Sequence, residues 1–149
     1  MMGILKMNHI DVINLQRKVK LETAVFRAFT SVLIETVSEA HGKKFSVAFI
    51  SNTRMQQLNE MFRGNNSTTD VLSFPNEPDA FEQEKDNLGD IVISAEQAEK
   101  QAGENDLSLE VEIKQLILHG LLHLCGYDHE TDNGEMNARE MELRDELGI

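Results

Sequence analysis

Three of the chain's five histidines, His119, His123 and His129, fall within eleven residues, in the segment HGLLHLCGYDH. Their spacing of four and then six is what a single metal ion requires. Residues i and i+4 leave a helix on one face, and a glycine shortly after lets the chain turn back with a third ligand. Gly126 stands where that turn is needed. A divalent ion held by three neutral imidazoles keeps its full charge and an open coordination position, an arrangement typical of catalytic rather than structural sites. The competing reading is three separate histidines, each satisfied by a carbonyl or carboxylate. Leaving buried ring nitrogens unpaired costs roughly 1–3 kcal/mol per group, so three rings placed together favour a shared solution.

The spacing also follows the long zinc-peptidase pattern HExxHxxGxxH at every position but one. Gly120 stands where that pattern has its glutamate. The glutamate is the general base of those enzymes, and glycine has no side chain to take its place. Ordinary peptidase chemistry is therefore disfavoured. Hydrolysis is not, because three-imidazole ligation brings a metal's water to a pKa of about 7 without a separate base.

Several elements must position this cluster. Residues His9 to Leu15 read as a first strand from Ile10, Val12, Ile13 and Leu15 in near-alternation. Leu21 to Ala40 carries Val25, Phe29, Val32, Leu33 and Val37 at helical spacing and ends before His41-Gly42. Phe45 to Ile50 is β-branched and aromatic, and Ser51, Asn52 or Thr53 can cap a helix with Met55, Leu58, Met61 and Phe62 that runs to Gly64. Val71 to Phe74 is a short strand closed by Pro75, Glu77 to Asn87 an acidic loop, and Gly89 to Ile93 a fourth strand. Ser94 with Gln97 forms a capping-box signature for a helix to about Ala102, and Ser108 caps the long helix that reaches the histidines. A charged helix from about Gly134 to Leu147 packs through Met136, Met141, Leu143 and Leu147. The expectation is one α+β domain over residues 1–149, a mixed sheet of about four strands with about five helices.

A chain of 149 residues, 40% hydrophobic and 27% charged, is long enough for one core. No apolar stretch approaches a bilayer span, and the N-terminus MMGILKMNHI lacks the apolar core and cleavage site of a secretory signal. A cytoplasmic location is expected. The lone Cys125 sits in an apolar run and reads as a small buried thiol rather than a nucleophile or ligand. The formal charge of -12 argues against easy nucleic-acid binding, but it is unevenly spread. Residues 17–63 carry eight Lys or Arg against four Glu, whereas residues 64–149 carry five against 21 acids.

Four ordered segments narrow the function. HGLLHLCGYDH, together with LNEMFRG (Leu58 to Gly64), TTDVLSFP (Thr68 to Pro75) and LGDIVIS (Leu88 to Ser94), resembles the YbeY family of bacterial rRNA maturation endoribonucleases over about Phe45 to Glu130. The resemblance implies a zinc-dependent hydrolase of single-stranded RNA acting in small-subunit rRNA 3′-end maturation, ribosome assembly and ribosome quality control. Its implied partners are the small subunit and assembly factors such as the Era GTPase, with no membrane and no DNA. It makes His119, His123 and His129 the ligands of one Zn²⁺, and it gives catalysis to Arg63 together with His119. A planar guanidinium suits that task, since it can grip a phosphodiester bidentately and offset charge building on phosphorus. Asn65-Asn66-Ser67-Thr68 departs from the proline-containing lead-in of the family.

Asp70, Asp90 and Asp128 are the aspartates inside these segments, each able to orient a ligand imidazole or move a proton. A turn or strand-end role competes for each. Ser73 and Tyr127 are better suited to packing than to chemistry. Two rivals remain: a metallopeptidase-like hydrolase whose base is another residue such as Asp128, and a non-catalytic assembly factor in which zinc staples the C-terminal helix to the sheet.

Overall fold

The strands form where β-branched and aromatic residues cluster, and their order in space explains how the histidine helix is held. The computed structural model describes residues 12–77 and 86–149. Its elements are β1 (Val12–Asn14), α1 (Thr23–Thr36), a 3-10 turn at Ser38–Ala40, β2 (Lys44–Ile50), α2 (Asn52–Arg63), β3 (Val71–Pro75), β4 (Asn87–Ser94), α3 (Ala95–Glu104), α4 (Leu109–Leu124) and α5 (Glu135–Leu147). The four strands lie in the order β1-β2-β4-β3. β1 and β2 are parallel, as are β2 and β4, and β3 runs antiparallel along β4 at the edge. The α+β domain with a mixed sheet of four strands and five α-helices is thus the expected one. A parallel β1-α1-β2 crossover is present in it, and the antiparallel β3 interrupts that alternation.

Alternation along the strands divides the core in two. Val47, Phe49, Ile91 and Ile93 join α1 and α4 in the larger core, with Phe26, Leu33, Ile117 and Leu121 fully or almost fully buried. Ile50, Leu72 and Val92 point to the other face and meet Met55 and Leu58 of α2. Burying each such side chain contributes roughly 1.5–3 kcal/mol. α4 is therefore fixed on a central surface, and its histidine end is carried to the β3 edge.

Several boundaries differ from expectation. Of the first strand, Val12–Asn14 is formed, and residues 9–11 lie outside the described residues. The helix expected to reach Ala40 stops at Thr36, because Val37 adopts extended backbone (φ -85°, ψ 105°) and the chain continues as a 3-10 turn. Most of the acidic loop lies outside the described residues, while Asn87 and Leu88 already belong to β4. Met141, expected to pack, is 44% exposed, whereas Met136 and Leu143 are buried. The expected caps hold: Ser51, Ser94 and Ser108 accept from the backbone N–H of Arg54, Gln97 and Val111. No helix among the described residues is long and apolar enough to cross a membrane.

Candidate metal centre and the clefts around it

His119 and His123 leave α4 one turn apart, and their approach to the sheet depends on Gly120. A Cβ there would lie 2.8 Å from Ile91 Cγ2 on β4, closer than carbon atoms pack. The peptidase glutamate is absent from a position with no room for any side chain. Ser73 on β3 donates to the Gly120 carbonyl at 3.2 Å, binding the edge strand to the same turn of helix.

After Leu124 the helix closes. Cys125 N–H donates to Leu121 O, Gly126 N–H to His123 O and Tyr127 N–H to Leu122 O. Gly126 has φ +104°, a conformation that L side chains rarely adopt, and this reversal brings His129 back over the helix end. The three rings then face one another with centroids 4.9, 5.4 and 5.1 Å apart. Each offers one ligand atom, and those atoms lie within 4.8 Å of one another. Three imidazole nitrogens gathered this closely are a donor set that a zinc ion takes.

Two of the rings are held from behind. Glu140 of α5, 6% exposed, accepts from His119 Nδ1 at 2.7 Å. The Tyr127 carbonyl accepts from His123 Nδ1 at 3.0 Å. With Nδ1 carrying the hydrogen in each case, Nε2 is left with its lone pair for a metal, the usual way an outer carboxylate or carbonyl sets a ligand imidazole. Burial, with the other two histidines, lowers the pKa of His123 and keeps its ring neutral. Burial pushes the Glu140 carboxyl upward, but the contacts with His119 and Arg144 outweigh it and hold the group ionised. The donor set therefore fits a divalent ion such as zinc.

Tyr127 is itself clamped. Its hydroxyl donates to Glu39 Oε2 at 2.7 Å, and Arg139 grips the same carboxylate through Nε at 3.0 Å and Nη2 at 2.8 Å. Arg139, with smaller help from Tyr127, lowers the Glu39 pKa to about 2. This triangle ties the 3-10 turn and α5 to the residue whose carbonyl orients His123.

The triad opens into a cleft of about 590 Å³ whose walls include Arg63, Asp70, Ser73 and Asp128. Arg63 ends α2, before the left-handed Gly64, and lines this cleft. Among the described residues no carboxylate pairs with its guanidinium. The aspartates behave differently from one another. Asp70 reaches the cleft but accepts from Val71 N–H at 2.8 Å, touching no histidine. Asp128 accepts from Glu130 N–H at 3.0 Å and shapes the turn before His129. Asp90 alternates with Ile91, so it faces α2 on the opposite side of the sheet, where burial raises its pKa and Oδ1 has no hydrogen-bond partner. The outer carboxylate at the triad is Glu140 instead. Its signal in the sequence was an acid on the stripe Met136, Glu140, Leu143 and Leu147, where an apolar residue belongs. Cys125 is half-buried, and burial pushes its thiol up to about 11, so it is not a thiolate.

The family model described as Endoribonuclease YbeY matches residues 11–148. The Endoribonuclease YbeY of Clostridioides difficile is 38% identical over 142 residues, covering 90% of this chain and 93% of that one. That of Nautilia profundicola is 46% identical over 107 residues, 72% of this chain and 74% of the relative. A solution structure from Thermotoga maritima superposes with a TM-score of 0.62 at 28% identity, covering 91% of this chain and 88% of that one. With a match that runs through the sheet, the histidine helix and the closing helix alike, the chain belongs to the YbeY endoribonuclease family.

Proposed function

We propose that this chain is a zinc-dependent, single-strand-specific endoribonuclease acting in small-subunit rRNA 3′-end maturation, ribosome assembly and ribosome quality control. Its setting is the cytoplasm, with the ribosomal small subunit and assembly factors such as the Era GTPase as partners. The observation that carries the reading is one cleft holding both a convergent imidazole triad and an arginine that no carboxylate among the described residues neutralises.

His119, His123 and His129 would hold the ion, which when bound supplies Lewis-acid polarisation and a full positive charge next to the scissile phosphate. The chain's own residues do the rest. Arg63 binds the phosphodiester and offsets the negative charge that develops on its oxygens. Glu140 and the Tyr127 carbonyl hold two of the imidazoles in the tautomer that presents Nε2. β3, the edge strand of the sheet, borders this cleft through Val71, Ser73 and Pro75. Of the basic residues in 17–63, only Arg63 lines this cleft; Arg27 donates to the Val12 carbonyl and Lys18 pairs with Glu96. Intrinsic affinity for free RNA is then modest and salt-sensitive, and ribosomal partners supplement it.

The zinc-staple rival is disfavoured, because all three ligands lie on α4 and the turn after it, none on α5 or the sheet. α5 is already joined to α4 by the His119–Glu140 contact. Against the peptidase rival, Gly120 stands where the usual glutamate belongs, and Asp128 accepts from the Glu130 N–H in the turn. The test is His123→Ala, examined by metal analysis, circular dichroism and 3′-end mapping of small-subunit rRNA in cells. A folded protein that has lost its zinc and its processing supports the proposal. A folded, metal-free variant that still matures the rRNA end sinks it.

A further inference from the structure

A second cleft, about 660 Å³, adjoins the metal cleft and shares Asp70, Val71 and His119 with it. The two clefts meet at His119, so a strand bound at the triad can extend into this space. Its outer wall is the C-terminal end of α3, with Gln101, Glu104 and Asn105, and its floor is the first half of α4, with Glu112 and Gln115.

The hydrogen bonds around the cleft occupy part of its donors. Asn105 Nδ2 bonds to Glu112 Oε1 at 2.9 Å, Gln115 Nε2 to the Ile149 carbonyl at 3.0 Å, and Arg144 Nη2 to Glu140, while Arg144 Nε is buried without a hydrogen-bond partner. Acceptors are left over. Glu112 is 4% exposed, yet its carboxylate accepts that single side-chain hydrogen bond out of the roughly four sites a carboxylate offers. Glu104 and Asp70 add two further carboxylates to the walls. These three carboxylates outnumber the single guanidinium of Arg144 in the lining, so the surface disfavours a phosphate. These acids are not a cation cage either, because the histidine triad is the one group among the described residues placed to hold a metal ion. What fits is a flat, uncharged ligand that presents hydrogen-bond donors along one edge.

We infer that this cleft is a nucleobase subsite that receives the base flanking the scissile phosphate and prefers guanine, with Glu112 as the acceptor at its floor. This rests on the endoribonuclease reading above. Guanine alone among the four bases sets two donor groups, N1–H and the 2-amino group, side by side on its Watson–Crick edge, which one carboxylate can accept bidentately. Single-stranded RNA leaves that edge free to be read. Asn105 holds one oxygen of Glu112 in place, and Gln101, with no hydrogen bond to its side-chain amide, is free to adjust to the base.

Two measurements test this. Zinc-loaded protein is given single-stranded RNA oligomers that differ only in the base next to the cleavage point, and kcat/KM is compared. Guanine should be preferred about tenfold, the size of one bidentate base contact. Glu112→Gln, which turns one acceptor into a donor, should flatten that preference while zinc content stays unchanged; Glu104→Gln is a second variant should Glu112→Gln misfold. Separately, 5′-GMP and 5′-UMP are titrated into the wild-type protein and followed by amide chemical shifts. Shifts at Gln101, Asn105 and Gln115 with GMP and weaker ones with UMP support the subsite even if no RNA is cleaved, an outcome that would overturn the endoribonuclease reading alone. RNA cleavage indifferent to the flanking base, or GMP shifts elsewhere on the surface, overturns the subsite and leaves the endoribonuclease reading standing.

Discussion

Gly120→Ala isolates how closely α4 must approach the sheet. Two effects oppose each other. Alanine is favoured over glycine within a helix by about 1 kcal/mol, so an open position gains from the exchange. At Gly120 the new Cβ lies 2.8 Å from Ile91 Cγ2, 3.1 Å from Cδ1 and 3.2 Å from Cγ1, where carbon contacts settle near 3.5–4.0 Å. Ile91 is fully buried on β4 between β2 and β3, and its β-branched side chain is stiff at χ1, so it gives way reluctantly. The helix must move outward instead, and overpacking of this kind costs ~1–3 kcal/mol. The net expectation is a loss of up to about 2 kcal/mol, read from urea denaturation of the metal-free protein. Gly103→Ala on α3 is the internal comparison, because nothing lies within 4 Å of a Cβ there; that variant should be as stable as the parent or gain about 0.5 kcal/mol. Combining Gly120→Ala with Ile91→Ala should cost less than the sum of the two by about 1 kcal/mol, since the second change removes the atoms the first collides with. Outward movement also displaces His119 from β3, so RNA cleavage should fall with stability. Should Gly120→Ala match Gly103→Ala in stability, the close approach is not what reserves this position for glycine.

Glu140→Gln should weaken zinc binding by roughly 10- to 100-fold in a chelator competition, with the helical signal retained; unchanged affinity would mean His119 needs no outer carboxylate. Arg63→Lys keeps the charge but loses the planar fork, so RNA cleavage should drop about tenfold or more at constant zinc content; parent-level cleavage would remove Arg63 from phosphate recognition. Arg139 holds the Glu39 pKa at about 2 against an ordinary 4.5. A depressed carboxylate contributes stability that is complete above pH 4.5 and is lost as pH falls toward 2. The gap converts to about 3 kcal/mol, which solvent reaching the pair reduces to ~1–2 kcal/mol. Glu39→Gln should therefore be less stable than the parent by that amount at pH 7, and the difference should shrink between pH 4.5 and 2. A difference that is constant with pH would separate the stability of this region from the ionisation of Glu39.

The local elements were legible in the sequence because their causes are local. Ser51, Ser94 and Ser108 cap helices through hydrogen bonds that span three residues. The pairing of His119 with His123 follows from helical pitch, and the turn that returns His129 needs the positive φ that Gly126 supplies. These spacings alone picked out the three histidines that the fold brings together. What surrounds the set was decided across long separations: Glu140 reaches His119 from 21 residues away, Arg139 reaches Glu39 from 100, and Ile91 sets the room at Gly120 from another strand. The same alternation that buries Ile91 under α4 turns Asp90 to the opposite face, so a carboxylate next to a conspicuous segment was carried away from the chemistry. Periodicity specifies which side of an element a residue occupies, but it does not say which element will lie against that side. For this chain the packing of α5 and the 3-10 turn around α4 made that choice, and with it the groups that hold the imidazoles ready.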